Sequence, residues 1–251
     1  MKHLTIMLKP ASSLCNLRCK YCFYADITSL RDVSSFGIME DRTMRAVIDH
    51  IFMDLDDGDH LTLSFQGGEP MLVGLSFYRK LENYIAEKGR KIHVNYTIQT
   101  NGILLDDDWC SFFCKYDFLV GISFDILPES HDAARIDTAG HGTYEKVLHA
   151  VSLLKKYQIE HNILCTLTRQ TAGHPSRVWT QIRRLDLDHV QFTPCLGDLN
   201  SPGTSVYALT PDRFFHFYSD LFDLWYRDLT AGNYRSIKLF DDLLQLLAKG
   251  L

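Results

Sequence analysis

The sequence of 251 residues has no apolar run long enough to cross a membrane and no cluster of basic residues. Its formal net charge is −5, so neither a membrane nor nucleic acid is an expected partner. The apolar part of the N-terminus is too short to predict a signal peptide. Seven cysteines, an odd number without a secretory signal, favour a reducing compartment, and we predict a cytoplasmic location.

Hydrophobic residues make up 46% of the chain and charged residues 23%, as in an ordinary globular protein. Strand-like and helix-like segments alternate along nearly the whole length. The predicted strands are His3–Lys9, Leu61–Gln66, Ile92–Gln99, Phe118–Phe124, His161–Leu167 and His189–Thr193. The predicted helices are Asp41–Leu55, with Asp41 as N-cap, Leu75–Lys88, Asp106–Lys115, Thr143–Tyr157, Pro175–Leu185, one starting at Thr210-Pro211, and one from about Ile237.

Six β/α repeats predict a parallel sheet with right-handed crossovers. The expected fold class is α/β, a partial (β/α)6 TIM-like barrel, with a flavodoxin-like open sheet as the alternative. In such barrels the chemistry lies at the carboxyl ends of the strands.

Three cysteines, Cys15, Cys19 and Cys22, lie close together in the run SLCNLRCKYCFY. Polar residues separate the thiols, so burial as small hydrophobic side chains is not favoured. A zinc site normally uses paired CxxC or histidine units, and no such partner pair follows. A [4Fe–4S] cluster held by three thiolates keeps one iron open for another ligand. The spacing therefore predicts an iron–sulfur cluster bound by these three residues.

The other four cysteines do not offer a second set of ligands. Cys110 and Cys114 are one helical turn apart, so they are expected to pack on one helix face. Cys165 lies inside a predicted strand. Cys195 follows the sixth strand, and we expect it to pack as well.

Polar or thiol-bearing segments follow most of the predicted strands. They are Gln66-Gly67-Gly68-Glu69-Pro70, Gln99-Thr100-Asn101-Gly102, Ser123-Phe124-Asp125, Thr166 and Thr168, and the pair Cys195-Leu196. Each group alone could form a turn, and Asp125 could cap a helix. Together they predict a single site at the strand ends. The paired glycines would let the backbone approach a ligand that a Cβ atom would exclude.

The cysteine spacing and the GGEP turn resemble the radical S-adenosylmethionine (SAM) enzymes. Within that group the chain resembles the anaerobic sulfatase-maturating enzymes. The matching elements occur in order, and they are KPASSLCNLRCKYCFY, FGIM, FQGGEP, QTNG, FLVGISFD, HD followed by an arginine, NILC, QF with CL, and FDLWY.

The resemblance implies one three-cysteine [4Fe–4S] cluster and SAM as cofactors. It implies that Gly68 and Glu69 support the amino group of SAM, and that Ser123 and Arg135 also contact SAM. The planar fork of Arg135 suits a carboxylate. By the same resemblance Tyr21 and Leu196 line the adenosine. Candidates for contacting a substrate peptide are Tyr24, Gln66 and Gln99.

The implied activity is reductive cleavage of SAM and oxidation of a sulfatase cysteine or serine to Cα-formylglycine. The implied partners are a sulfatase polypeptide or peptide and an electron donor such as flavodoxin or ferredoxin. Two alternatives stay open. One is another peptide-modifying radical SAM maturase, for example one that forms thioethers. The other is a non-catalytic iron–sulfur or SAM-binding module.

The chain departs from the family pattern at two places. Ile126 stands where the family usually has glycine, in Ser123-Phe124-Asp125-Ile126-Leu127. Family members also continue into a domain with two auxiliary clusters and an aspartate proposed as the base. We therefore expect residues 1–235 to form the radical SAM core and residues 236–251 to begin a linker or helix toward that domain. On this interpretation the catalytic base lies outside the chain.

Overall fold

The computed structural model describes residues 1–25, 30–197 and 205–249. Its strands are β1 (His3–Leu8), β2 (His60–Phe65), β3 (His93–Thr100), β4 (Phe118–Ser123), β5 (His161–Leu167), β6 (His189–Pro194) and β7 (Ser236–Ile237). Its helices are α1 (Asp41–Met53), α2 (Leu75–Glu87), α3 (Asp107–Lys115), α4 (Pro128–Ala134), α5 (Tyr144–Lys156), α6 (Arg169–Ala172), α7 (Pro175–Arg184), α8 (Pro211–Thr230) and α9 (Lys238–Lys249), with a 3-10 turn at Pro70–Val73.

The strands form one seven-stranded sheet whose order follows the sequence, from β1 to β7. The pairs β1–β2, β2–β3, β5–β6 and β6–β7 are parallel. The predicted parallel α/β fold is thereby confirmed. The sequence predicted six strands, and the seventh, Ser236–Ile237, lies where a helix was expected to begin. That last helix starts at Lys238 instead.

Two short helices were not predicted from the sequence. The first, α4, starts at Pro128 directly after β4, and the second, α6, is capped by the Thr168 hydroxyl after β5. The prediction of Asp41 as N-cap is wrong, because Glu40 has the extended backbone of a cap (φ −74, ψ 152). Asp41 is instead the first helical residue. There its negative carboxylate interacts favourably with the positive N-terminal end of the helix dipole.

The chain divides into two compact units, and the first comprises Met1–Arg18, Cys22–Gly121 and His149–Glu160. Its core contains an aromatic cluster. The Tyr78 ring packs edge-on against Phe65 at 4.9 Å and against Trp109 at 5.3 Å, and Tyr96 stacks on Phe118 at 4.9 Å. Burial of such rings is a large source of stability, and it fixes α2 and α3 against β2, β3 and β4.

The second unit comprises Cys19–Tyr21, Ile122–Leu148 and His161–Leu251. Its aromatic core joins α8 to β6 and α9. The Phe192 ring packs against Phe217 at 5.1 Å, and Phe240 packs against Trp225 at 5.1 Å. The proposed domain limit between residues 235 and 236 stays a prediction.

Among the residues that the structure describes, Cys110, Cys165 and Cys195 are buried, as expected for packing residues. Cys114 is exposed, so the prediction that it packs beside Cys110 is wrong. Its Sγ lies 3.4 Å from the Tyr157 carbonyl oxygen. In the same described part of the chain, no helix combines the length and the hydropathy that a membrane crossing needs.

Candidate functional site

The three cysteines Cys15, Cys19 and Cys22 carry their sulfur as thiols, and each is half-buried in the loop after β1. In the first unit, the Leu17 N–H donates to Cys15 Sγ at 3.4 Å. Burial raises the pKa of Cys15, and the negative charges of Glu69 and Cys22 add to that effect. No three histidine, cysteine or carboxylate side chains in the described residues are placed to hold a metal ion. The cluster-ligand role of the three cysteines stays a prediction.

The Gly67-Gly68 turn lies directly against the cysteine loop. The register pairs Leu8 with Phe65, so the residues that follow β1 and β2 meet at one sheet edge. Gly68 has φ +56, and a Cβ atom there would lie 2.3 Å from the Leu14 carbonyl oxygen. The Glu69 N–H donates to the same oxygen at 2.7 Å. The sequence predicted that these glycines make room for a ligand, and at Gly68 the group that needs the room is the cysteine loop itself.

The Glu69 carboxylate is only 1% exposed and accepts three hydrogen bonds. Its Oε1 accepts from the Met71 N–H at 3.0 Å and the Thr100 hydroxyl at 2.7 Å, and its Oε2 accepts from the Asn101 N–H at 2.8 Å. Burial raises the pKa of Glu69 to about 7, although these hydrogen bonds act in the opposite direction. A carboxylate has about four lone-pair directions, so Oε2 has one left for a further donor such as an ammonium group.

In the second unit, Tyr21, Asp125 and Arg135 meet in one buried group. The Tyr21 hydroxyl donates to Asp125 Oδ2, and Arg135 Nε lies 3.2 Å from the same oxygen. The Thr166 N–H donates to Asp125 Oδ1 at 2.9 Å. The Arg135 guanidinium carbon lies 5.4 Å from the centre of the Tyr21 ring. Burial raises the pKa of Tyr21 well above its ordinary value, so the hydroxyl keeps its proton.

His131 fixes the loop on both sides of α4. Its Nδ1 accepts from the Asp125 N–H at 3.2 Å, and its Nε2 lies 3.1 Å from Thr143 Oγ1. Thr143 uses its single hydroxyl proton on the Arg135 carbonyl oxygen at 2.9 Å, so Nε2 must carry the proton toward Thr143. This arrangement requires neutral His131. Burial lowers its pKa to about 4, and nearby Arg135 acts in the same direction.

The structure places the other predicted site residues in or after strands, apart from Tyr24, which follows the cysteines. Gln66 and Ser123 are half-buried, after β2 and at the end of β4, and Gln99 is half-buried within β3. Leu196 is 76% exposed after β6. Tyr24 is half-buried, with Lys9 Nζ 4.8 Å from its ring centre. Their roles stay predictions.

Sequence reasoning placed Asp125 among the strand-end residues of one site but gave it no role, and it missed His131. The partners of Asp125, Tyr21 and Thr166, are distant in the chain. His131 occurs in the HD element, but the sequence gives no indication that both of its ring nitrogens form hydrogen bonds.

In chemical type, the residues present suit the cofactors that the sequence predicted. Three thiols on one loop are soft ligands of the kind that bind an iron–sulfur cluster. A buried carboxylate with a spare lone pair suits an ammonium group, and a buried guanidinium suits a carboxylate.

Comparison with known proteins identifies the class. Residues 10–175 match the radical SAM superfamily, and the chain belongs to it. The cysteine-type anaerobic sulfatase-maturating enzyme of Clostridium novyi (strain NT) is 41% identical over 249 residues, covering 98% of this chain and 66% of that protein. The enzyme of the same name from Clostridium perfringens (strain 13 / Type A) is 39% identical, covering 100% of this chain and 68% of that protein. Within the superfamily, the chain belongs to the anaerobic sulfatase-maturating enzymes.

Solved structures agree with this assignment. Native anSMEcpe with bound AdoMet matches with a TM-score of 0.90 and 40% identity, covering 96% of this chain and 66% of that chain. Native anSMEcpe with bound AdoMet and Kp18Cys peptide matches with a TM-score of 0.89 and 39% identity, covering 97% and 66%. The chain spans about two thirds of the length of these relatives.

The contact between Gly68 and the cysteine loop predicts the effect of Gly68→Ala. The added Cβ would collide with the Leu14 carbonyl oxygen, so the loop must move. We expect reconstituted protein to lose most of its iron, and the free energy of unfolding to fall by at least about 2 kcal/mol more than in the control. Iron and sulfide assays and denaturant unfolding measure both effects.

Gly89→Ala is the matched control. Gly89 has a similar φ of +64, but an added Cβ would have nothing within 4 Å, so this variant isolates the backbone strain of about 1 kcal/mol. Equal iron content in the two variants would show that the close approach at Gly68 does not position the cysteine loop.

Neutral His131 predicts a pH dependence of stability. The unfolded side chain binds a proton near pH 6.5, whereas the folded one does so only near pH 4. The unfolded state therefore binds more protons between these values, and stability falls as the pH drops through this window. The full loss corresponds to about 3 kcal/mol.

His131→Asn retains an acceptor for the Asp125 N–H but cannot titrate. We expect it to be less stable than the wild-type protein at pH 7 and to lose less stability between pH 6.5 and 4. Denaturant unfolding at several pH values gives the slope of stability against pH for each protein. The difference between the two slopes removes the contribution of the groups that both proteins share. Parallel curves would contradict the neutral, buried state of His131.

Proposed function

We propose that this chain carries the radical SAM chemistry of an anaerobic sulfatase-maturating enzyme. In this proposal, SAM is cleaved reductively at one [4Fe–4S] cluster bound by Cys15, Cys19 and Cys22. A cysteine or serine of a sulfatase polypeptide is then oxidised to Cα-formylglycine. The observation that carries the proposal is the Glu69 N–H to Leu14 hydrogen bond of 2.7 Å, which ties the GGEP turn to the cysteine loop.

That contact supports the proposal because it joins two elements with complementary tasks. The cysteine loop offers thiolates to a cluster, and Glu69 offers a buried carboxylate to an ammonium group. Cys15 and Glu69 influence each other's charge, so they lie within electrostatic reach. A ligand bound to the open iron through an amino group would therefore come close to Glu69.

When bound, the cluster and SAM supply the one-electron chemistry, and the protein supplies binding and orientation. Glu69 and Gly68 are assigned to the amino group of SAM, and Arg135 and Ser123 to its other polar contacts. Arg135 is 7% exposed, so its charge acts with little screening by water. Tyr21 and Leu196 are assigned to the adenosine.

The substrate is proposed to be a sulfatase peptide, since the relative anSMEcpe has been solved with a peptide bound. Tyr24, Gln66 and Gln99 are the proposed contacts. The electron donor is proposed to be a flavodoxin or ferredoxin, and the reaction is placed in the cytoplasm because a reducing compartment keeps the thiols available.

The proposal predicts that anaerobically reconstituted protein forms 5′-deoxyadenosine from SAM when reduced. Complete conversion of a sulfatase-derived cysteine peptide to its aldehyde form is not expected from residues 1–251 alone, because the family resemblance implies that the catalytic base belongs to a further domain. Chromatography measures the nucleoside and mass spectrometry the peptide. Absence of 5′-deoxyadenosine from protein with a full cluster would refute SAM cleavage. Complete aldehyde formation by residues 1–251 alone would refute the need for a base in a further domain.

Cys19→Ala and Cys114→Ala provide the matched pair of thiol variants. Cys19 is in the proposed ligand loop, whereas Cys114 is an exposed cysteine on α3. We expect Cys19→Ala to lose the cluster and all nucleoside formation, and Cys114→Ala to retain both. Equal iron content in the two variants would remove Cys19 from the ligand set.

A further inference from the structure

Asp125 connects three separate segments of the second unit. Its side chain is 1% exposed. It accepts from the Tyr21 hydroxyl of the cysteine loop and from the Thr166 N–H of β5, and it lies 3.2 Å from Arg135 Nε after α4. Both oxygens of this buried carboxylate have partners within the protein, so it links the three segments to one another.

The position of Asp125 determines which edge of Arg135 is available. A guanidinium binds a carboxylate through two parallel N–H groups, either on the side that includes Nε or at the end formed by Nη1 and Nη2. Asp125 lies beside Nε, and Arg135 Nη2 donates to Thr166 Oγ1 at 3.3 Å. The face of the guanidinium lies over the Tyr21 ring. Each terminal nitrogen carries two N–H groups, so the terminal edge still has donors for another anion after these contacts.

We infer that Asp125 is the positioning residue that directs the terminal edge of Arg135 toward the carboxylate of SAM. This inference rests on the proposed function. Asp125 also balances the charge of Arg135. SAM carries a sulfonium and an ammonium group against one carboxylate, so a buried arginine without a counter-ion would repel the rest of the ligand while attracting its carboxylate.

A purely structural role for Asp125 makes a different prediction. In that case its loss would lower stability and cluster content, and SAM binding would decline independently of Arg135. In the positioning role, Asp125 affects SAM only through Arg135. A double-mutant cycle separates the two, because residues that act through one another have non-additive effects.

The experiment measures the Kd of SAM for reconstituted full chain, by titration of the EPR signal of the reduced cluster at matched iron content. Asp125→Asn keeps the size of the side chain and an acceptor for Thr166, but removes the charge. We expect its Kd to rise by about tenfold or more, as for a lost hydrogen bond to a charged group. Arg135→Ala should weaken binding at least as much, and the double variant should match Arg135→Ala.

Glu82→Gln is the control for a general loss of buried polar contacts. Glu82 is 8% exposed on α2 and belongs to the first unit, whereas Arg135 belongs to the second. The SAM Kd of Glu82→Gln should stay within about twofold of the wild-type value at matched iron content.

If Asp125→Asn does not fold, Asp125→Glu can replace it. This variant retains the charge but displaces the carboxylate, and we expect a smaller increase in the Kd of SAM.

Three results would overturn the inference. The first is a folded Asp125→Asn protein that binds SAM with the wild-type Kd. The second is a double variant in which the two losses of SAM affinity add, and the third is a Glu82→Gln protein that loses as much SAM affinity as Asp125→Asn. Weak SAM binding by Arg135→Ala combined with a normal Kd for Asp125→Asn would overturn only the positioning role. A normal Kd for Arg135→Ala, or no SAM binding by the wild-type protein, would instead remove the proposed function on which it rests.

Discussion

The close approach of the Gly68 backbone to the cysteine loop is the constraint on which the first unit depends. A main-chain atom can come this near to another only where a Cβ is absent, and the positive φ of Gly68 turns the Glu69 N–H toward the Leu14 carbonyl oxygen. The loop that carries Cys15 is thereby fixed by a hydrogen bond from the turn that follows β2. The same turn carries Glu69 into a buried position beside Cys15.

The buried charges of the chain are handled in two different ways. Within the described residues Glu69 has no cation beside it, and three hydrogen-bond donors offset only part of the desolvation, so its pKa rises to about 7. Asp125 instead has the cation Arg135 at 3.2 Å, and the pair is neutral as a whole. The first unit thus holds a buried carboxylate offset only by hydrogen bonds, and the second holds a buried carboxylate offset by a cation.

Much of the fold followed from the sequence because periodicity is a local property. The limits of β5 were predicted to the residue, and those of β2 and α2 within one. The elements that were missed depend on distant partners. Strand β7 has only two residues, and it exists through pairing with His189 and Val190 of β6. The site residues also divide into those that the local sequence reveals and those that depend on distant partners. Motif residues such as Gly68 and Arg135 were found in the sequence, whereas Asp125 gains its importance from Tyr21, which is 104 residues away.

The departure at Ile126 can also be explained physically. Its φ is +56, and the Leu127 N–H donates to the Asp125 carbonyl oxygen at 2.5 Å, which makes a γ-turn of the strained type. A β-branched residue costs about 1–2 kcal/mol in this conformation, which glycine would avoid. Ile126 is completely buried, and burying such a side chain contributes about 1.5–3 kcal/mol. Burial of the Ile126 side chain therefore offsets the backbone strain at this residue. The turn that follows Asp125 can be maintained without glycine.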